Sequence, residues 1–190
     1  MREVALISRN GDAGSGRGET GKRTRRPKRQ AHHRIHAKQH YFAFLSYSHA
    51  DQATAEWLHE ALESFRVPRR LVGRLTENGV IPRRLTPVFR DRGELAASDD
   101  LSEEIEEALA GSRFMIVLCS PAAVASRWTI AETAAFKRLR PEGEIFAAIV
   151  GGEPFASAMP GREAEECFPP ALTERYDSRG RPTGRRAEPI

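Results

Sequence analysis

Apolar positions along this chain fall into short continuous runs that alternate with stripes of helical period. Tyr41-Phe-Ala-Phe-Leu45 is one such run, and it breaks at Ser46-Tyr-Ser-His49 into hydroxyl and polar residues just before a helical pattern begins. A buried parallel strand whose C-terminal end opens into a pocket has this pattern. Thr86-Pro-Val-Phe-Arg-Asp-Arg92 and Phe114-Met-Ile-Val-Leu-Cys-Ser-Pro121 repeat it. After the first run Asp51 is placed as an N-cap, and Trp57, Leu58, Ala61, Leu62 and Phe65 form one apolar stripe that Pro68 stops. A basic loop, Arg69 to Arg84, leads to a short strand over 86–89. A polar loop from Arg90 to Asp100 then precedes a helix with Leu101, Ile105, Ala108 and Leu109 on one face, ended by Gly111. Ser120-Pro121 starts a helix over 121–139, Pro141 and Gly143 break it, and Glu144 to Val150 reads as a fourth strand. Strands alternating with helices predict an α/β fold with a central parallel sheet and helices on both faces. Residues 154–190 read as irregular, with only Ala187 to Ile190 hinting at a strand, so an outer strand and covering helix are expected to be cut short or to lie elsewhere in a longer polypeptide.

Composition refines this outline. At 190 residues and 39% hydrophobic, the chain supports one domain with a modest core and polar extensions. Residues 1–40 hold 11 Lys/Arg against 3 Asp/Glu, a net of +8, whereas residues 41–190 hold 19 against 23, a net of −4. The first forty residues therefore read as a disordered basic arm with too little apolar surface to offset chain entropy. Within it Gly16 to Lys22 has the spacing of a phosphate-binding loop, but Arg23 stands where Ser or Thr must hold magnesium and Pro27 blocks the following helix, so that reading fails. No apolar run approaches the ~18–20 residues that cross a bilayer. Cys119 and Cys167 lack metal-ligand spacing and read as reduced thiols of a cytoplasmic protein.

Ser126-Arg-Trp128-Thr-Ile-Ala-Glu132 is the candidate site. Trp128 and Glu132 lie four apart, one turn along a shared helix face. An aromatic beside a carboxylate at a crevice suits a flat cationic ring with a sugar attached. The plainer alternative is a core tryptophan and a solvated glutamate. Ser46, His49 and Asp51 are the residue types of a hydrolase triad, yet no nucleophile elbow is present. Glu103, Glu104, Glu106 and Glu107 complement a helix N-terminus and read as a solvated face.

Phe42 to Ser48, Pro87-Val-Phe-Arg-Asp-Arg-Gly-Glu-Leu95, Ile116 to Pro121, and Ser126-Arg-Trp128 with Glu132 together resemble the Toll/interleukin-1 receptor (TIR) domain family, of the type found in bacterial multidomain proteins. The resemblance covers residues 41–153 and implies a flavodoxin-like three-layer sandwich acting in signal transduction or defence. It implies that Glu132 is the catalytic glutamate of members that cleave NAD+, with Phe44, Ser46, Tyr47, Arg90, Ser126 and Trp128 lining the substrate. It implies that the Arg90–Asp100 loop, with Arg90, Asp91, Glu94, Leu95 and Ser98, governs association with other TIR domains. Ser98 stands where many members have glycine, and Ser48 or His49 replaces a basic residue found in some active members.

Cleaving nicotinamide from ribose passes through an oxocarbenium-like state. Nicotinamide leaves from an already cationic linkage, so one carboxylate can suffice, and neither a metal nor another cofactor is called for. Three readings follow: an NAD+ nucleosidase releasing ADP-ribose or its cyclic form, a non-enzymatic scaffold that signals through TIR–TIR binding, and a nucleic-acid binder driven by the arm. The arm's lack of interleaved aromatics disfavours the third.

Overall fold

The structure is a computed structural model that describes residues 40–90, 101–187 and 189. Residues 1–39 of the basic arm and the Asp91, Glu94, Leu95 and Ser98 positions of the contact loop lie outside the described residues. In chain order the elements are β1 (Tyr41–Ser46), α1 (Gln52–Ser64), β2 (Leu75–Thr76), β3 (Gly79–Val80), β4 (Val88–Arg90), α2 (Glu103–Gly111), β5 (Ser112–Cys119), α3 (Pro121–Ala125), α4 (Arg127–Leu139), β6 (Glu144–Ile149), α5 (Pro170–Thr173), β7 (Glu174–Tyr176) and β8 (Pro182–Arg186).

The central sheet has four strands in the order β4-β1-β5-β6, and each neighbouring pair is parallel. The chain moves from β1 outward to β4 and then crosses to β5 on the other side. The connections therefore diverge between β1 and β5, which is the switch point where doubly wound sheets hold ligands. Alternation along the strands supplies two cores. Phe44, Met115, Val117 and Cys119 face α2 and α4, where Ile105, Leu109 and Phe136 meet them. Ala43, Leu45 and Leu118 face α1, where Ala55, Leu58 and Leu62 meet them. Burial on both faces is why these strands read as unbroken apolar runs. The outer edge of β4 is covered by α1: Glu63 Oε1 accepts from Val88 N at 2.6 Å and His59 Nε2 lies 3.0 Å from Val88 O.

Several expectations are corrected. Trp57 and Phe65 are 67% and 47% exposed, because α1 buries the face carrying Ala55, Leu58 and Leu62, which leaves Trp57 outside, and the chain has already left the helix at Phe65 with a ψ of 132°. Asp51 occupies the N-cap position without capping; its carboxylate accepts from Ser120 Oγ at 2.6 Å instead. The helix placed over 121–139 is two helices, broken at Ser126, whose ψ of 109° leaves the helical region. The basic loop contains the β2–β3 hairpin. Beyond β6 the chain runs through turns and short helical turns, then α5, β7 and β8, and it packs back onto the domain. Cys167, Phe168 and Leu172 enter the α2/α4 core, and Lys137 Nζ donates to the carbonyls of Ala171, Leu172 and Glu174 at 2.6, 2.8 and 2.5 Å. The strand hinted at by Ala187 to Ile190 is not formed at Ala187 or Pro189, and residues 188 and 190 lie outside the described residues; a strand instead ends just before, β8, paired antiparallel with β7. Both cysteines are free and buried.

Candidate functional site

Ser46 ends β1, opposite Val117 of β5, and strand alternation points it, like Phe44, toward α4. Its Oγ donates to Glu132 Oε2 at 2.6 Å. Serines and a proline place the helix that carries this glutamate. Ser120 Oγ accepts from Ala123 N at 3.0 Å and Pro121 opens α3, then Ser126 Oγ accepts from Thr129 N at 3.2 Å and opens α4. Along α4 the buried positions include Thr129, Glu132, Thr133 and Phe136, an i, i+3, i+4, i+7 stripe. Glu132 therefore occupies an interior place on the helix and is only 4% exposed. This differs from the open crevice that the sequence suggests: the carboxylate lies on the α4 stripe that packs against the sheet, beside Phe136.

A buried carboxylate on a core stripe is costly unless hydrogen-bonded, and the short Ser46 bond is part of what holds it. Thr133 Oγ1 donates back to Thr129 O at 2.7 Å. The Thr129 hydroxyl, one turn before Glu132, is buried without a hydrogen-bond partner among the described residues.

Of the residues singled out in the sequence, Ser46 and Glu132 meet. Phe44 is fully buried beneath them and stacks on Phe89 at 5.2 Å, so it forms the floor of the site and not a wall. Trp128 is partly buried one turn before Glu132, with the Arg127 guanidinium 5.1 Å from its ring centroid. Ser126 is spent on the α4 cap. Tyr47 packs with the α1 core, on the other face of the sheet from Glu132. Arg90 pairs with Leu45 in register and lies on that same α1 face, where its Nη1 is 3.2 Å from Glu56 Oε1 and its Nε is buried without a partner among the described residues. Ser46, His49 and Asp51 form no triad, since Ser46 turns to Glu132 and Asp51 to Ser120. Sequence inspection missed Thr129, Thr133 and Glu56. The signal for the two threonines was their place on the Phe136 stripe. Among the described residues no group of three His, Cys, Asp or Glu side chains converges as metal ligands, and no helix is long and apolar enough to cross a membrane.

The family model of the TIR domain matches residues 43–160, which include both Ser46 and Glu132. The chain belongs to the TIR domain family. It is 35% identical over 136 residues to the NAD(+) hydrolase ApTIR of an Actinoplanes species, covering 70% of this chain. This TIR chain spans 17% of that relative's length. Among solved structures, the TIR domains of the activated Roq1 resistosome directly recognizing the pathogen effector XopQ superpose with a TM-score of 0.42 at 23% identity, over 62% of this chain and 61% of that one.

Proposed function

We propose that this TIR domain is a cytoplasmic NAD+ nucleosidase in which Glu132 carries the chemistry. The observation that carries the proposal is the buried Glu132 carboxylate, bonded to Ser46 at 2.6 Å where β1 ends at the switch point of the sheet. Similarity to an NAD(+) hydrolase over most of the chain supports it.

The glycosidic bond between ribose and nicotinamide breaks heterolytically. Its electron pair leaves with nicotinamide, whose ring nitrogen loses its positive charge, and the ribosyl carbon becomes oxocarbenium-like. A carboxylate fixed beside that carbon stabilises the transition state more than the ground state, because charge develops on the sugar only as the bond breaks. Water, or the adenine of the same nucleotide, then takes the vacated position and gives ADP-ribose or its cyclic form. For the ribose to reach Glu132, one of its hydroxyls replaces the Ser46 hydroxyl as hydrogen-bond partner. Trp128, one turn away, stacks on the nicotinamide.

The burial of Glu132 also favours a second reading, in which the Ser46 bond is purely structural and the domain is a scaffold that signals by binding other TIR domains through the Arg90–Asp100 loop. Nicotinamide release from NAD+ by the purified chain, with and without a crowding agent, separates the two. Glu132→Gln keeps the shape and an acceptor for Ser46, and it should lower turnover by ~10²–10³ while the protein stays folded. Equal turnover by the variant removes Glu132 from the mechanism, and no release by wild-type protein in its assembled form establishes the scaffold.

A further inference from the structure

The segment from Arg66 to Arg84 carries Arg66, Arg69, Arg70, Arg74, Arg83 and Arg84 against a single acid, Glu77, a net of +5 inside a domain whose residues 41–190 sum to −4. All six arginines are exposed, and among the described residues none of them is held in an ion pair. The same segment holds the β2–β3 hairpin, and its register sets Leu75 directly opposite Val80, so the two side chains share one face. That apolar pair is uncovered, at 81% and 56% exposure.

The hairpin is also fixed in place. Thr76 Oγ1 donates to Gly79 O at 2.8 Å across the turn, Gly79 supplies the positive φ of 89° that the turn needs, and Asn78 Nδ2 donates to Glu144 Oε2 at 2.8 Å, pinning the turn to the start of β6. Phe65, next to Arg66, adds a third exposed apolar side chain. Leu85, next to Arg84, lines an apolar hollow of about 340 Å³ between α1 and the sheet.

We propose that this hairpin and the arginines around it seat the domain on an anionic lipid bilayer. An aliphatic pair on a pinned hairpin, in a segment with six exposed arginines that form no ion pair among the described residues, has the composition of an interfacial membrane contact, in which apolar side chains enter the acyl boundary and basic ones meet lipid phosphates. The remainder of residues 41–190 sums to −9 once the +5 segment is set aside, so an anionic surface repels the other faces and selects this orientation. Glu77 sits at the tip of the turn, so the hairpin lies on its Leu75/Val80 face and does not enter tip-first. Nucleic acid fits less well, because residues 65–84 contain a single aromatic side chain, Phe65, where a stacking platform for successive bases takes several.

The test is co-sedimentation of the full chain with phosphatidylcholine vesicles containing roughly one-third phosphatidylserine, against pure phosphatidylcholine. The first forty residues carry +8 and contribute their own attraction, so the informative quantity is the difference between proteins that share that arm. Leu75→Ser/Val80→Ser and Arg83→Glu/Arg84→Glu should each weaken binding to the anionic vesicles by about tenfold or more, with thermal midpoints unchanged because these side chains are exposed. A Leu75→Trp variant should gain blue-shifted emission that brominated acyl chains quench, only with the anionic vesicles. Wild-type affinity in either double variant, or no shift at Leu75→Trp, overturns the proposal. So does a loss of self-association in lipid-free solution on substituting these residues, which would make the surface a contact between copies.

Discussion

On the face of the sheet covered by α2 and α4, Phe44, Met115, Val117 and Phe136 are fully shut away from solvent, and Cys167, Phe168 and Leu172 come back from the C-terminal segment to complete the packing. On the α1 face, Phe42, Phe114 and Ile116 look into a hollow of about 340 Å³, and Phe146, on its rim, is 40% exposed. Among the described residues the difference follows from the number of covering elements: two helices and a returning strap on one side, one helix over β4 and β1 on the other. Dense packing holds a side chain to within a fraction of an ångström, and Glu132, on which the proposed nucleosidase chemistry rests, lies on this closed face. Uncovered apolar surface has a different use, as a place where something else binds, and the arginine-rich hairpin adjoins the loose face.

Truncating one phenylalanine on each face tests this most severely. Phe136→Ala removes a fully buried ring from the centre of the α2/α4 core and should cost about 3–5 kcal/mol in urea unfolding. Phe146→Ala takes away a ring already in partial contact with water beside an existing void, and should cost less than about 1.5 kcal/mol. Equal costs would mean that the hollow is filled in solution and that both faces are packed alike.

The strap that closes the tighter face is anchored by Glu166. Its Oε1 accepts from the backbone N–H groups of Phe155, Cys167 and Phe168 at 3.1, 3.0 and 2.9 Å, and its Oε2 accepts from Ser157 N at 3.1 Å and Ser157 Oγ at 2.6 Å. Burial pushes this carboxyl up, but the bonds from Ser157, Phe168 and Phe155 together outweigh it and hold the group below the ordinary carboxylate range. A folded-state pKa below the unfolded one contributes stability that is present above the unfolded value and is lost as pH falls through the folded one. Glu166→Gln turns an NH₂ toward backbone donors and should cost about 2–4 kcal/mol at neutral pH, while flattening the acid limb of the stability curve below pH ~4. An unchanged acid limb would show that the strap does not depend on the charge.

How much of this was legible depends on whether a residue's role is periodic. The strands at Tyr41–Ser46 and Ser112–Cys119 are double-sided and show as apolar runs, so the parallel sheet and the place of Ser46 at the C-terminal end of its strand could be read directly. Glu132 was found by its spacing from Trp128, although the stronger signal was a lone carboxylate on the Thr129-Thr133-Phe136 stripe, which fixes its burial as well as its face. Applied to β1, the same alternation puts Phe44 under Ser46 and turns Tyr47 to the α1 side. The β2–β3 hairpin has two-residue strands, too short for alternation, and only Asn78-Gly79 marked its turn. Ser126 is a capping residue among alanines that all favour helix, so the break there was hidden. The C-terminal strap is ordered by Glu166 and Lys137 bonding to backbone groups, and side chain-to-backbone bonds leave no period in a sequence.

The smallest effects should come from the ion pair on each face. Arg138 and Glu106 join α4 to α2 at 2.8 Å, with side chains 54% and 47% exposed, so water screens the attraction and two long side chains lose rotamer freedom to make it. Glu106→Gln should change stability by less than about 0.5 kcal/mol, and ~1 M salt should erase the difference. On the α1 face Arg90 is only 11% exposed while Glu56 is 46% exposed, at 3.2 Å. Removing the Glu56 charge leaves a nearly enclosed guanidinium with less compensation, a cost that solvent reaching Glu56 reduces but does not cancel. Glu56→Gln should therefore cost about 1 kcal/mol and keep part of that cost in salt. If the order reverses, with Glu106 the costlier loss, then Arg90 is solvated in solution and the α1 face is looser at its β4 edge than its buried guanidinium indicates.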